Sequence, residues 1–159
     1  LNRKMNQNDS LVKEGPTLGS GPRNFEWYQA LNKPKINPPQ WVFPVVWTIL
    51  YIMIIASFFV YLKDTDFTYT MALIFFSIQM ILNIIWTPIF FWKKMITLAL
   101  VDIVLLWIFI LVTIITFHER SPIAAYLLIP YNVWVTLATY LNAYIVFNNP
   151  DPSRAPKMK

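Results

Sequence analysis

Few residues in this chain could do covalent or metal chemistry. There is no cysteine, which removes disulfides, thiolate metal sites, iron–sulfur clusters and thioether-linked haem. There is one histidine, His118, so no site with two or three imidazoles can form within one chain. His118 falls in a short predicted connection between two apolar runs, which leaves Ser–His chemistry without a setting. The expectation is a protein with no catalytic residue set and no metal. The chain is instead rich in tryptophan, with seven. Trp41 and Trp92 fall at the ends of apolar runs, where indoles anchor at lipid headgroups. Trp47, Trp86, Trp107 and Trp134 lie well inside. An indole there either packs between helices or lines a cavity for a flat ligand.

Spacing groups these residues further. Trp47, Tyr51 and Ile55 lie at i, i+4 and i+8. Asn83, Trp86, Thr87 and Phe90 lie at i, i+3, i+4 and i+7. Trp134, Ala138 and Asn142 repeat the first pattern. Each set occupies one face of a helix. An indole, a small residue and an amide on one face offer stacking area, room and a few hydrogen bonds. A site for a planar apolar molecule needs that mixture, and plain helix–helix contacts use it too. Asp102 is the one ionisable residue inside an apolar run. Such a group faces the interior of a bundle. Ligand contact, helix–helix hydrogen bonding and proton handling are all open to it, with Asn83, Gln79 and Asn142 as candidate partners.

The elements that must position these side chains are membrane spans. Of the 159 residues, 57% are hydrophobic and 13% charged, against about 45–50% and about 25% in soluble domains. Four runs, 42–62, 69–92, 95–117 and 121–147, reach the roughly 20 residues a spanning helix needs. Their connections are short, which makes neighbours antiparallel. The predicted fold is all-α, an antiparallel transmembrane helical bundle with four spans and the lipid bilayer as its partner. Pro44, Pro88 and Pro130 fall inside the runs and are predicted to kink them. Eleven of the thirteen basic residues lie in the N-terminal segment, the second loop and the tail. Basic loops stay in the cytoplasm, so both termini are expected there. The net charge of +5 then reports orientation, and no nucleic-acid partner is expected. Residues 1–24 read as a polar, disordered lead-in without a signal-peptide core, and 150–159 as a basic cytoplasmic tail.

Four segments in order carry a resemblance. They are WYQALNKPKINPPQWVFPVVWTILY from Trp27, LNIIWTPIFF from Leu82, ALVDIVLLW from Ala99 and LLIPYNVWVTLATYLNAYIV from Leu127. Across residues 25–149 the chain resembles the TspO/MBR family of tryptophan-rich sensory and translocator proteins. The resemblance implies a homodimeric membrane bundle that needs no cofactor and binds a porphyrin, protoporphyrin IX or haem, as a receptor or sensor. Light-dependent porphyrin degradation and small-molecule transport of porphyrin or sterol are the alternative functions it implies. Carried over by position, the ligand site would use Tyr28 from a loop, Trp47 and Tyr51 from the first span and Asn83 and Trp86 from the second. Asp102 would come from the third and Trp134 and Ala138 from the fourth. The membrane would be the cell membrane in a bacterium or the mitochondrial outer membrane in a eukaryote. Three departures stand out. The family has five spans and four are visible here, with a polar stretch where the first should lie. Ile36 occupies a loop position that often carries an aromatic residue. The sterol-contact pattern of Leu141 and Tyr144 does not close, because the next basic residue is Arg154.

Overall fold

A computed structural model describes residues 23–68 and 70–149. The expected lead-in and tail therefore lie outside the described residues, except that Arg23 and Asn24 already belong to a helix. The described chain forms α1 (Arg23–Ala30), α2 (Val42–Asp64), α3 (Met71–Thr87), a π-helical turn (Pro88–Trp92), α4 (Ile96–His118) and α5 (Pro122–Asn148). Four helices, counting α3 with its π turn, are long and apolar enough to cross a membrane. Their outer faces carry large apolar side chains in the open. Ile84 is 61% exposed and Val133 64%, which water would not tolerate along whole helices and hydrocarbon does.

The helix ends follow from local chemistry. All three glycines of the chain precede residue 22, so no turn among the described residues can use one. α2 stops in a Schellman arrangement built without glycine. The Asp66 amide donates to Lys63 O and the Phe67 amide to Leu62 O, at 3.2 and 2.8 Å. Asp66 and Phe67 take the left-handed conformation, at φ 50° and 57°, and these bonds offset its cost. Pro44 sits in the first turn of α2, where its missing N–H has no helical acceptor to serve, so the expected mid-span break there is absent. Pro88 opens the π turn, in which the Lys93 amide reaches back five residues to Pro88 O at 3.0 Å. Pro130 lies inside α5, which stays helical throughout. His118 is not in a loop but is the last residue of α4.

The helices pack side by side in the order α3, α4, α5, α2. One end is closed by aromatic rings. Phe117 lies flat on Tyr61, with centroids 3.8 Å apart, and parallel to Phe76 at 5.8 Å; Phe76 stacks on Phe58 at 5.1 Å. These rings join α2, α3 and α4. Ser57 Oγ donates to Ala124 O at 2.7 Å and fixes α2 against α5 at the same end. α2 and α3 lack the close backbone approach of the other neighbours and meet through long side chains. At the other end α1 seats Trp27, Tyr28 and Leu31 against Phe90, Ile96, Ala99 and Ile145. The loop after α1 is tied to the end of α5 by a reciprocal amide pair. The Asn32 amide donates to Asn149 Oδ1 at 2.9 Å, and Asn149 Nδ2 donates to Asn32 O at 3.1 Å.

Candidate functional site

Where α2 and α3 stand apart, the bundle encloses a cavity of about 380 Å³. α2 contributes Phe43, Trp47 and Tyr51 to its lining, and α3 contributes Asn83 and Trp86. Phe90 and Phe91 come from the π turn, Ile103 and Leu106 from α4. α5 supplies Trp134, Ala138, Leu141 and Asn142, and Tyr28 of α1 covers one end. The volume lies in the range of small-molecule sites, and the lining is largely apolar with a few polar atoms, as such sites are.

Seven of the eight residues carried over from the resemblance line this one cavity: Tyr28, Trp47, Tyr51, Asn83, Trp86, Trp134 and Ala138. Asp102 does not. It lies one residue before the lining Ile103, and one helical step turns a side chain by about 100°. Asp102 is buried, and its Oδ2 has no hydrogen-bond partner among the described residues. Of its three candidate partners, Gln79 bonds to Tyr131, and Asn83 bonds to Tyr51 and Tyr131. Asn142 has neither amide atom paired.

Tyr28 is held by a helix, not by a loop. α1 presents Trp27 and Tyr28 to the same side as Leu31 just after it, and the Tyr28 ring meets Phe90 edge-on at 5.9 Å and Phe91 at 5.7 Å. Lys33 Nζ caps the end of α1 by donating to Tyr28 O and Gln29 O at 2.8 Å, and it stands 4.9 Å from the centre of the Tyr28 ring. Burial pushes the Tyr28 phenol up to about 12 and lowers the Lys33 ammonium. Tyr28 therefore meets any ligand as a neutral phenol.

The aromatic rings are held by contact more than by hydrogen bonds. Trp47 lies 5.8 Å from Tyr51 and 6.3 Å from Tyr131. Trp86 stacks on Phe90 at 4.9 Å, and Trp134 meets Phe43 edge-on at 5.7 Å. The indole nitrogens of Trp86 and Trp134 are buried without partners among the described residues. A buried donor left unpaired is costly. Trp107 belongs elsewhere: its Nε1 donates to Thr136 Oγ1 at 2.8 Å on the α4–α5 seam. Trp41 and Trp92 are exposed at span ends. Phe43, Phe90, Phe91 and Leu141 also line the cavity and were not carried over as ligand contacts. Phe90 stood on the Asn83–Trp86 face, which was the available signal.

Comparison with known proteins places this geometry. Residues 13–147 match the TspO/MBR family. The chain belongs to that family. It is 42% identical over 134 residues to the tryptophan-rich protein TspO of Chlorobaculum tepidum, covering 81% of this chain and 84% of the relative. It is 39% identical over 127 residues to the tryptophan-rich sensory protein of Cereibacter sphaeroides, covering 79% and 78%. The human translocator protein is 38% identical over 121 residues, covering 74% and 72%. As a TspO/MBR member with four apolar spanning helices, the protein is integral to a membrane.

Proposed function

We propose that the cavity binds a tetrapyrrole, and that the protein is a membrane receptor or sensor for it. The observation that carries this reading is the lining itself: Trp47, Trp86 and Trp134 around one space. A flat macrocycle gains stacking from such rings. Titration of the detergent-solubilised chain with protoporphyrin IX should quench tryptophan fluorescence and saturate near one porphyrin per chain. Quenching that rises linearly without saturation removes the reading.

Light-dependent breakdown of the porphyrin is a second reading, favoured by one observation. A porphyrin in this cavity would lie against oxidisable indoles, and indoles are reactive toward excited sensitisers. Illumination of the complex that leaves the porphyrin absorption band intact removes it.

The arrangement also supports an orientation. Lys94 Nζ stands 5.3 Å from the centre of the Trp27 ring, so the segment around α1 and the loop between α3 and α4 share one end of the bundle. That end carries Lys33, Lys35, Lys93 and Lys94 and would face the cytoplasm. The native chain lacks cysteine, so single substitutions report cleanly. In intact cells or sealed right-side-out vesicles, Asp66→Cys should react with an impermeant maleimide and Lys93→Cys should not. The opposite pattern reverses the orientation. The family resemblance further supports a homodimer in the bilayer.

A further inference from the structure

Behind the cavity runs a hydrogen-bond chain with a direction. Gln79 of α3 turns Oε1 toward Tyr131 of α5, and the Tyr131 hydroxyl donates to it at 3.0 Å. A phenol has one hydrogen. With that hydrogen on Gln79, the Tyr131 oxygen can only accept, and Asn83 Nδ2 donates to it at 2.7 Å. Asn83 thereby presents Oδ1, an acceptor, to Tyr51, whose hydroxyl donates to it. Gln79, Tyr131 and Asn83 are 1%, 0% and 5% exposed. Reversing one link would set two lone pairs or two hydrogens face to face where neither can turn to water. In this arrangement the chain runs with one polarity from Gln79 to Tyr51, and Gln79 Nε2 is left buried with no partner among the described residues. Tyr51 and Asn83 line the cavity, whereas Gln79 and Tyr131 do not.

We propose that Gln79 and Tyr131 are positioning residues that make Tyr51 Oη a hydrogen-bond acceptor toward the cavity, so that the site selects flat ligands bringing an N–H or O–H donor to that wall. Tyr51 is half-buried and lines the cavity, and its hydrogen is held by Asn83. The ligand class is a planar apolar molecule with a hydrogen-bond donor at one edge. This rests on the reading that the cavity holds a flat ligand, and it adds which groups that ligand must carry.

Carbazole and N-methylcarbazole test it, being flat tricyclic molecules that differ in a single N–H. Their affinities for the full chain in detergent are read by displacement of bound protoporphyrin IX and by direct tryptophan quenching. The parent should bind carbazole about tenfold more tightly, the worth of one net hydrogen bond. In Tyr131→Phe and Gln79→Leu the ratio should fall to about one, with N-methylcarbazole affinity within about twofold of the parent's. A purely structural role would weaken both probes together and leave the ratio unchanged. Tyr51→Phe must also abolish the preference, whatever the folding of the two buried variants. Equal or reversed affinities in the parent, binding of neither probe, or a preference that survives in Tyr51→Phe overturns the proposal. Saturable protoporphyrin binding with no carbazole preference would leave the tetrapyrrole reading standing. Failure of the parent to bind any of the three molecules removes both.

Discussion

Trp134→Ala should lower the affinity for protoporphyrin IX by roughly 30- to 100-fold. The indole lines the cavity from α5 and is steadied by Phe43 of α2 at 5.7 Å. Removing it takes away ring contact and apolar burial together worth about 2–3 kcal/mol, and each 1.4 kcal/mol is about tenfold. The fold should withstand the change, because Trp134 Nε1 makes no hydrogen bond that the variant would lose. Trp134→Phe keeps part of the ring face and should lose only about fivefold, as the smaller share of the same contact. Trp107→Phe is the control. It gives up the bond to Thr136 on the α4–α5 seam and should lower the melting temperature while leaving porphyrin affinity within about twofold. Equal losses at Trp107 and Trp134 would mean that binding follows general stability rather than this cavity.

Phe117→Ala should have the largest effect on stability. Its ring is fully buried and lies between Tyr61 of α2 and Phe76 of α3. In water a buried Phe→Ala change costs about 3–5 kcal/mol, combining transfer and cavity contributions. In a bilayer the transfer part largely drops out, since lipid is as apolar as the protein interior. The unfilled space and the lost stacking remain, and about 2 kcal/mol is expected. Lipid cannot refill the hole, because no part of the ring reaches the surface. Thermal unfolding in detergent should shift down by several degrees, while the protoporphyrin affinity of the folded fraction stays near the parent's. An unchanged melting temperature would mean that the ring stack does not hold α2 to α3.

The sequence was most legible where one property ran for many residues. Four apolar runs became four spanning helices, because a bilayer admits little else at that length and composition. The helical faces of Trp47 with Tyr51, of Asn83 with Trp86 and of Trp134 with Ala138 came from spacing alone, since side chains four apart share a face. Spacing does not say which faces turn toward each other, and it could not place Asp102. Its charge argued for an interior position, and interior it is, but behind Ile103 rather than on the cavity. Tyr131 escaped notice, and Gln79 stood only as a candidate partner of Asp102, for the same reason. Each looks unremarkable on its own helix, and only the packing of α5 near α3 makes them links in one chain. The prolines show how local position overrides residue type. Pro44 is harmless in a first turn, whereas Pro88 sets off the π turn that brings Phe90 and Phe91 to the cavity. Tyr28 was expected from a loop, because the proline-rich stretch after it hides a helix of only eight residues.

The most direct test of the cavity as the tetrapyrrole site is a protoporphyrin IX titration of Ala138→Phe beside the parent chain. Ala138 is the smallest side chain in the lining, and a phenyl ring there would fill the space without removing any indole. Saturable tryptophan quenching in the parent, with at least about tenfold weaker binding in a variant of unchanged melting temperature, is the predicted result. Equal affinity in the two chains would place the porphyrin outside this cavity and contradict the account.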